Sequence, residues 1–327
     1  MFKALMVHGK GAAAAPALVE LIDADLPEGE VTVRVQYSSL NYKDALAITG
    51  RGAILKSFPM IPGIDLAGVV EASRDPAWQP GDAVVVNGWG LGENRHGGLT
   101  QKTRLAAGWL LKLPAAYRAY DAMAIGTAGY TAALCVQALR RHGLAPADGP
   151  VLVTGASGGV GAIAVLLLAK LGYEVHAASG RASTADYLRG LGAAELIDRS
   201  SLAEPGRPLQ SERWAGVVDT VGSHTLANAC AATQWNGAVA ACGLAQGADF
   251  PATVMPFILR GVTLYGINCV LTPNALRAQA WDLLAAHVPP ATLAGMSHEI
   301  ALSEAIAAAT DLLEGRLQGR AVVDVNR

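Results

Sequence analysis

Short apolar runs separated by Gly, Pro and Asp fill the chain up to Asp121. Runs of this length between turn residues are typical of strands. Four of them predict strands, at residues 4–8, 31–38, 68–71 and 83–87. Turn residues at 27–29 and 79–82 separate them. This part of the chain therefore predicts a β-rich, barrel-like domain.

After Asp121 the pattern becomes helical over 122–141, with interruptions at Gly126 and Gly129. Strand-length apolar runs then alternate with helical segments. The predicted strands are 151–153, 175–178, 195–197, 216–219, 238–242 and 263–267, and the predicted helices are 160–171, 184–191, 225–233, 255–259 and 272–286. Repeated βα units need a parallel sheet covered by helices on both faces. The tail, 300–325, predicts a helix and an end strand, 320–325, that returns to the first domain.

Four glycines lie between the first strand and the first helix of this alternation: Gly155, Gly158, Gly159 and Gly161. A phosphate binds at a helix N-terminus only where backbone N–H groups are exposed and no side chain blocks the approach. Gly158 or Gly159 can adopt positive φ there, and Gly172 is predicted to end the helix. The lengths of strand, turn, helix and second strand favour a βαβ dinucleotide-binding unit over a purely structural turn.

The end of the second strand selects the cofactor. An NAD site places Asp or Glu there for the ribose 2′-OH, whereas an NADP site lacks the acid and supplies an arginine for the 2′-phosphate. Here the position carries Ser179, Gly180 and Arg181, with no acid before Asp186. The sequence therefore favours NADPH, and a solvated loop arginine is the alternative for Arg181.

A ligand of an open parallel sheet lies beyond the carboxyl ends of the strands. The residues at these ends are therefore predicted to surround one crevice: Ser157, Gly158, Gly159, Val160, Ser179, Gly180, Arg181, residues 220–222, Gly243, Leu244 and Asn268. Arg199 follows the third strand near the predicted adenine end, where it either supports Arg181 or is solvated.

The composition excludes several classes of protein. With 327 residues, 52% of them hydrophobic and 16% charged, the chain fits two globular domains. A formal net charge of −2 without a basic stripe argues against nucleic acid as a partner. The sequence contains no run of about eighteen apolar residues, so no membrane span is predicted. The four cysteines lack CxxC spacing, which indicates buried thiols in a reducing, cytoplasmic compartment and no structural zinc lobe.

Several longer motifs carry a resemblance to a known family: SSLNYKDALAITGRG, FPMIPGIDLAG, GWGLGENRHGGL, GTAGYTAALCV, VTGASGGVG, DTVG, ACGLA and TVMPFILRGVTLYGIN. Over nearly the whole chain they resemble the zinc-free quinone-oxidoreductase branch of the medium-chain dehydrogenase/reductase superfamily. More narrowly, they are similar to the group of NADPH-dependent acrylyl-CoA reductases. The resemblance implies an α/β fold in which a Rossmann domain, 123–296, follows a GroES-like catalytic domain, 1–122, that is completed by 297–327. It also implies a homodimer joined through its sheets.

Zinc enzymes of the superfamily carry a catalytic cysteine near the position of Asn41 and a GHE motif near residues 62–65. This chain has no cysteine or histidine at either place, so no catalytic metal is expected. Zinc-free relatives have Asn-Tyr-x-x-Asp there, and residues 41–44 repeat this with one fewer intervening residue. By this resemblance Tyr42 lies near the nicotinamide, with Asn41 close by.

The implied reaction gives these two residues a role. Hydride attack on the β-carbon of an unsaturated thioester places negative charge on the thioester oxygen, and a proton must reach the α-carbon. A positioned donor stabilises the oxyanion, and a tyrosine or water supplies the proton. Tyr42 is the candidate proton donor or orienting group, with Asn41 as a polar anchor.

Other polar residues each have two readings. Lys43 and Asp44 could contribute to the site or form a local ion pair that fixes the loop, which is favoured for Asp44. The glycine-rich loop 88–98 either closes over substrate or is a β-turn region, and His96 fits a loop role better than a catalytic one. Thr127 either bonds the nicotinamide carboxamide or caps a helix. The tail Gln318-Gly319-Arg320 resembles the NADP-contacting terminus of the family, with a structural ion pair as the alternative.

Three functions are compatible with the sequence. The leading hypothesis is NADPH-dependent reduction of a short enoyl-CoA, acrylyl-CoA to propanoyl-CoA. The second is reduction of a quinone or a free enone on the same fold. The third is a protein that binds NADPH without turnover.

Overall fold

The computed structural model describes residues 1–180, 182–317 and 319–327. Its strands are β1 Phe2–Val7, β2 Pro16–Leu21, β3 Val31–Leu40, β4 Asp65–Ser73, β5 Ala83–Asn87, β6 Lys102–Leu105, β7 Leu111–Lys112, β8 Val151–Val153, β9 Val175–Ser179, β10 Glu195–Asp198, β11 Trp214–Asp219, β12 Thr233–Ala241, β13 Thr263–Gly266, β14 Ser297–Ala301 and β15 Arg320–Asp324. Its helices are α1 Tyr42–Thr49, α2 Ala119–His142, α3 Gly159–Lys170, α4 Ala185–Gly190, α5 Ser200–Ala203, α6 Ser223–Ala232, α7 Met255–Arg260, α8 Asn274–His287, α9 Pro290–Ala294 and α10 Ala305–Leu313.

The chain forms two compact units. Unit 1 contains Met1–Thr127, Cys269–Ala278 and Pro289–Arg327, and unit 2 contains Ala128–Asn268 and Gln279–Val288. Unit 1 is β-rich, whereas unit 2 alternates strands and helices. The fold is therefore α/β in unit 2, as the sequence pattern predicts, beside a separate β-rich unit.

Unit 2 is built on a six-stranded sheet in the order β10-β9-β8-β11-β12-β13. Every neighbouring pair in this sheet is parallel. From β8 the next strands along the chain, β9 and β10, lie on one side, whereas from β11 the next strands, β12 and β13, lie on the other side. The strand order therefore reverses between β8 and β11. In a doubly wound sheet this reversal opens the ligand crevice at the carboxyl ends of the strands. The Rossmann arrangement predicted from the sequence is confirmed.

The centre of this sheet is covered on both faces. All residues of β8 and β11 are buried, as in a parallel sheet flanked by helices. Helix α3 is buried from Gly161 to Leu168, which explains its continuous apolar sequence. It ends as predicted at Gly172, whose φ is +85°. The Gly172 N–H bonds to Ala169 O and the Tyr173 N–H to Leu168 O, which together satisfy the last carbonyls of the helix.

Unit 1 contains a seven-stranded sheet in the order β14-β15-β3-β4-β5-β7, with β6 also paired to β3, and a separate hairpin of β1 and β2. The predicted end strand at 320–325 is β15, which runs antiparallel to β3. Ala321 pairs with Leu40. The start of β15 therefore lies beside the end of β3, where Asn41 and Tyr42 follow.

The long predicted helix is α2, and its interruption lies at Gly126 alone. Gly126 has φ +53° and ψ −164°, whereas Gly129 continues the helix. The prediction of a break at Gly129 is therefore wrong. Helix α2 is long and apolar enough to cross a membrane, but 94% of its apolar window is buried inside the protein. Such burial is what the core helix of a globular protein shows.

Candidate functional site

The glycine turn of unit 2 joins β8 to α3. Gly155 takes the left-handed conformation, with φ +58°, and a Cβ there would lie 2.2 Å from Thr220 Oγ1. Gly158 is the N-cap of α3 with φ −81°. The expectation that Gly158 or Gly159 has positive φ is wrong, because the chain reverses three residues earlier, at Gly155. A Cβ at Gly161 would lie 2.3 Å from Gly155 O, so the first turn of α3 packs directly on the glycine turn.

The N-terminus of α3 is open to a ligand. Ser157 and Val160 are half-buried, and Gly158 and Gly159 are exposed. The first N–H groups of a helix have no partner within the helix and carry a partial positive charge. This end of the sheet can therefore hold a phosphate, as the sequence predicts for residues 157–160.

The end of β9 brings hydroxyl groups beside this turn. Ser179 Oγ lies 3.4 Å from Ser157 Oγ and 3.0 Å from Thr184 Oγ1. A Cβ at Gly180 would lie 2.2 Å from Arg199 Nε, so the Arg199 side chain lies across Gly180. Arg199 is exposed beside the β9 end, and its support of Arg181 stays a prediction. Arg181 lies outside the described residues.

A cavity of about 290 Å³ opens next to these groups. Its lining consists of Ser179, Gly180, Thr184, Ala185, Leu188, Leu196, Ile197 and Asp198. Apolar side chains thus form one wall, and hydroxyl groups lie at its edge. This combination suits a flat apolar ring joined to a polar sugar phosphate.

Asp219, at the end of β11, ties the two central strands together. The Thr154 hydroxyl donates to its Oδ1 at 2.7 Å, and the Gly222 N–H donates to its Oδ2 at 2.8 Å. Burial raises the pKa of this carboxyl, and the three hydrogen bonds it accepts lower it by less. Asp219 therefore fixes the loop at 220–222. A Cβ at Gly243 would lie 2.2 Å from Thr220 O, while Leu244 and Asn268 are exposed at the same edge of the sheet.

The second candidate site lies in unit 1, where Tyr42 is the first residue of α1. The sequence pattern does not predict this short helix. Asn41 is its N-cap, and the Asn41 N–H donates to Asp44 Oδ2 at 2.9 Å. Tyr42 is 61% exposed, and within the described part of the chain its hydroxyl makes no hydrogen bond. The backbone therefore presents the Tyr42 phenol to solvent while its neighbour is held in the interior.

Asn41 faces a buried polar cluster that contains Ser39, Asp44, Asp65 and Arg320. Arg320 Nη1 donates to Asn41 Oδ1 at 3.0 Å, and Asn41 Nδ2 donates to Asp65 Oδ2 at 3.1 Å. Arg320 Nη2 donates to Ser39 Oγ at 2.8 Å, and this hydroxyl in turn donates to Asp65 at 2.8 Å. The Asn41 amide thus joins the buried acid to the buried base.

Arg320 is buried inside unit 1, with 7% of its surface exposed. Desolvation lowers the pKa of its guanidinium, and the charges of Asp65 and Asp44 raise it. Among the described residues its Nε is buried without a hydrogen-bond partner. Its hydrogen bonds favour the structural reading, whereas cofactor binding by Arg320 stays a prediction. Gln318, which precedes it in the resembling tail, lies outside the described residues.

Thr127 joins the same cluster at the kink of α2. The Thr127 N–H donates to Asp65 Oδ2 at 2.7 Å, and Asn87 Nδ2 lies 3.4 Å from Thr127 Oγ1. A Cβ at Gly126 would lie 2.3 Å from Arg320 Nη2, so only glycine fits between the kink and the guanidinium. Asp65 therefore accepts a hydrogen bond from the backbone N–H that the kink leaves without a partner inside the helix. The sequence gives one signal for Asp65, an acid at the start of an apolar strand.

The predicted ion pair between Lys43 and Asp44 is wrong. Lys43 Nζ pairs instead with Glu93 Oε1 at 2.8 Å. Asp44 is buried and accepts hydrogen bonds from the N–H groups of Gly63 and Ile64, at 3.1 and 3.0 Å, as well as from Asn41. Asp44 still fixes the loop, but through backbone N–H groups, because a buried carboxylate needs several donors.

His96 also has a structural contact. The Ile61 N–H donates to His96 Nδ1 at 3.1 Å, and burial lowers the pKa of the imidazole. The loop role predicted for His96 is therefore favoured over a catalytic one. The rest of the loop 88–98 is closed by hydrogen bonds from the N–H groups of Glu93, Asn94 and Arg95 to Gly90 O, as a β-turn region requires.

Desolvation and the charge of Asp65 raise the pKa of Asp44 from 3.8 to about 7. The native state therefore binds a proton that the unfolded state has released between these two values. The stabilising contribution of the protonated group is complete below the lower value and is lost as the pH rises through the higher one.

We expect the free energy of unfolding of the parent to fall relative to an Asp44→Asn variant between about pH 5 and pH 7, by at most ~1.4 kcal/mol per pH unit. Urea unfolding at several pH values measures the difference. An Asp23→Asn variant is the control, since Asp23 is an exposed partner of Lys102. Parallel pH profiles for the parent and Asp44→Asn would contradict the assignment.

No group of three or more His, Cys, Asp or Glu side chains in the described ranges could hold a metal ion. The two positions that carry zinc ligands in metal-dependent relatives are Asn41, within the hydrogen-bonded cluster, and the segment 62–65, which binds Asp44. The absence of a catalytic metal stays a prediction.

Comparison with known proteins assigns the chain to a family. Residues 27–136 match the alcohol dehydrogenase GroES-like domain, and residues 159–286 match the zinc-binding dehydrogenase family. A probable acrylyl-CoA reductase AcuI of Escherichia coli strain K12 is 51% identical over 99% of this chain and 100% of its own. The chain belongs to the medium-chain dehydrogenase/reductase superfamily. The predicted resemblance is thus confirmed.

Two further members of the superfamily are similar over their whole length. The acrylyl-CoA reductase AcuI of Ruegeria pomeroyi is 50% identical, with all of both chains covered. The yhdH oxidoreductase of Salmonella enterica, solved in complex with NADP, is 50% identical with a TM-score of 0.96, covering 98% of this chain and 99% of its own. The GroES-like and Rossmann folds of this superfamily correspond to the β-rich and α/β units described above.

Proposed function

We propose that the protein is an NADPH-dependent reductase of a short α,β-unsaturated acyl-CoA that converts acrylyl-CoA to propanoyl-CoA without a metal. The assignment of the substrate rests on the 51% identity, over nearly the full length of both chains, to a probable acrylyl-CoA reductase. The geometry of the two candidate sites supports the reaction type, because one fits a dinucleotide and the other presents a phenol at a helix N-terminus.

The residues of unit 2 fit NADPH. Gly158 and Gly159 are exposed and have no side chain that would block a pyrophosphate, and the N-terminus of α3 offers N–H donors. The proposed contacts in unit 2 are Ser157, Gly158, Gly159, Val160, Ser179, Gly180, Arg181, Arg199, Gly243, Leu244 and Asn268. Tyr42, Thr127 and Arg320, in unit 1, are contacts that the family resemblance implies. When bound, NADPH supplies the hydride for the β-carbon of the substrate.

The chain's own residues would handle the charge and the proton. Reduction of an unsaturated thioester leaves negative charge on the thioester oxygen and requires a proton at the α-carbon. The exposed Tyr42 hydroxyl is the donor that we propose for this proton, directly or by orienting a water molecule. Asn41, the residue before Tyr42, is held in the interior by its hydrogen bonds. It thereby fixes the position at which α1 begins with Tyr42.

Arg181→Ala should weaken NADPH binding about 10- to 100-fold and leave NADH binding nearly unchanged, because a hydrogen bond to the charged 2′-phosphate contributes about 1.5–3 kcal/mol and NADH lacks this phosphate. Fluorescence titration with both cofactors measures the two affinities. Arg189→Ala is the control, since Arg189 is exposed and pairs, among the described residues, with the exposed Asp186. Equal losses for both cofactors would contradict the role of Arg181.

Assembly and organisation complete the proposal. We propose functional domains at 1–122 with 297–327 and at 123–296, and a cytoplasmic homodimer. Strand β13 is an edge of the six-stranded sheet, and α7, which precedes it in the chain, exposes Ile258 and Leu259. An unpaired edge next to exposed apolar side chains supports pairing with the same edge of a second copy.

The test is NADPH oxidation by the purified protein with acrylyl-CoA, crotonyl-CoA and a quinone. Faster turnover with acrylyl-CoA than with the quinone supports the proposal. Turnover of the quinone alone would place the protein among quinone reductases. Saturable NADPH binding without oxidation by any of the three would leave a binding protein.

A further inference from the structure

The loop 88–95 of unit 1 begins with an unusual backbone. Gly88, Trp89 and Gly90 have φ values of +75°, +56° and +79°. A tryptophan rarely adopts this conformation, which costs roughly 1–3 kcal/mol and persists only where the surroundings impose it. Among the described residues the Trp89 Nε1 is also buried without a hydrogen-bond partner. Contacts with neighbouring residues must therefore stabilise the left-handed backbone conformation of Trp89.

Arg277 holds it. This arginine is 1% exposed, and its guanidinium carbon lies 4.3 Å from the centre of the Trp89 ring. Arg277 Nη1 donates to Asn87 O at 2.5 Å and Nη2 to Val270 O at 2.7 Å. The Trp89 N–H donates to the same Val270 carbonyl at 3.0 Å. The planar guanidinium of Arg277 thus fixes the first residues of the loop through several N–H donors at once. A lysine, with a single ammonium group, could not replace it.

The far end of the loop reaches the candidate active site. Glu93 Oε1 pairs with Lys43 Nζ at 2.8 Å, and the Lys56 N–H donates to Glu93 O at 2.8 Å. Lys43 is the residue after Tyr42, and Asn41, before it, is bound to the buried cluster. Tyr42 itself makes no side-chain hydrogen bond within the described residues, so the contacts of its two neighbours are the ones that place its backbone.

We propose that the loop 88–95 is a positioning device for Tyr42, anchored at one end by Arg277 and joined at the other to Lys43 by Glu93. The inference rests on the proposed function, because it assigns the loop a part in the proton donation by Tyr42. A misplaced donor loses rate even when substrate still binds. The loop therefore acts on turnover rather than on binding.

The kinetic test uses Glu93→Gln in the parent and in a Tyr42→Phe background. In the parent we expect kcat with acrylyl-CoA to fall about 5-fold, with KM and NADPH affinity changed by less than about 2-fold. In the Tyr42→Phe background we expect no further loss, because the group being positioned is gone. Glu71→Gln, which breaks the comparable pair with Lys102, is the control and should leave kcat unchanged.

Equal losses in both backgrounds, or no loss in the parent, would overturn the inference. A second measurement does not depend on turnover: the ¹⁹F NMR line of 3-fluorotyrosine placed at position 42. We expect this line to broaden or split in Glu93→Gln and in Arg277→Lys, and to stay unchanged in Glu71→Gln. An unchanged line in Glu93→Gln overturns the inference even if Arg277→Lys does not fold. Absence of acrylyl-CoA reduction by the parent would overturn only the proposed function, and the ¹⁹F line would then decide on the loop.

Discussion

Replacing Tyr42 by phenylalanine is expected to lower kcat with acrylyl-CoA about 100-fold, the range of a lost general acid. NADPH affinity should change little, since the ring remains. The hydroxyl belongs to the first residue of α1, which is 61% exposed, so removing it leaves no buried group without a partner. Steady-state kinetics and a fluorescence titration with NADPH measure the two quantities.

Tyr37→Phe is the matched control, because it removes a phenolic hydroxyl from the same unit. The Tyr37 hydroxyl donates to Glu299 Oε2 at 3.4 Å, away from the hydrogen-bonded cluster around Asn41. Its loss should leave kcat unchanged. If Tyr42→Phe turned over as fast as the parent, Tyr42 would be a packing residue and the proton would have another source.

The α/β unit is readable from the sequence because its order follows from local patterns and few physical rules. The central strands β8 and β11 are buried apolar runs, and each crossover contains a helix. Parallel strands with right-handed crossovers then leave few possible orders. The N-terminal half of β12 was missed, since its residues 233–237 include an exposed tryptophan and Asn236 with φ +55°. Here pairing with β11 overrides the local pattern.

The polar cluster of unit 1 could not be predicted, because its hydrogen bonds join residues far apart in sequence. Ser39 and Arg320 are separated by 281 positions, and Asp65 and Thr127 by 62. A single sequence shows each of them as a polar residue in an apolar run, without its partner. The same reason explains the error for Lys43. Its nearest acid in sequence is Asp44, but the backbone N–H groups of Gly63 and Ile64 bind Asp44, and Lys43 pairs with Glu93.

Backbone conformation was the second limit. The sequence shows that the turn before α3 needs glycine, but not which glycine reverses the chain. The contact with Thr220 selects Gly155, since any side chain there would collide with the Thr220 hydroxyl. Likewise, nothing local predicts the left-handed conformation of Trp89, which depends on contacts with Arg277 and Val270. Tertiary contacts therefore decide these conformations.

Asp65→Asn should lower the free energy of unfolding by about 3–5 kcal/mol, the cost of leaving the buried guanidinium of Arg320 without its opposing charge. Asp65 is fully buried and accepts hydrogen bonds from Ser39, Asn41 and Thr127. Without its charge, the guanidinium of Arg320 is left in the interior near Asp44 alone. Chemical denaturation of the folded protein measures the loss. Asp23→Asn, at an exposed ion pair, should cost less than about 1 kcal/mol.

The double variant Asp65→Asn/Arg320→Met separates the charge pair from the lost hydrogen bonds. Each single variant leaves one buried charge with less compensation, whereas the double variant removes both. Its cost should therefore be smaller than the sum of the single costs by about 1–3 kcal/mol, the usual coupling of groups in one network. Additive costs within about 0.5 kcal/mol would mean that Asp65 and Arg320 act independently. A coupling of about 1–3 kcal/mol would instead show that Asp65 and Arg320 interact through the Ser39 hydroxyl and the Asn41 amide, which lie between them. The position of Asn41, and with it the start of α1, would then depend on the charges of both Asp65 and Arg320.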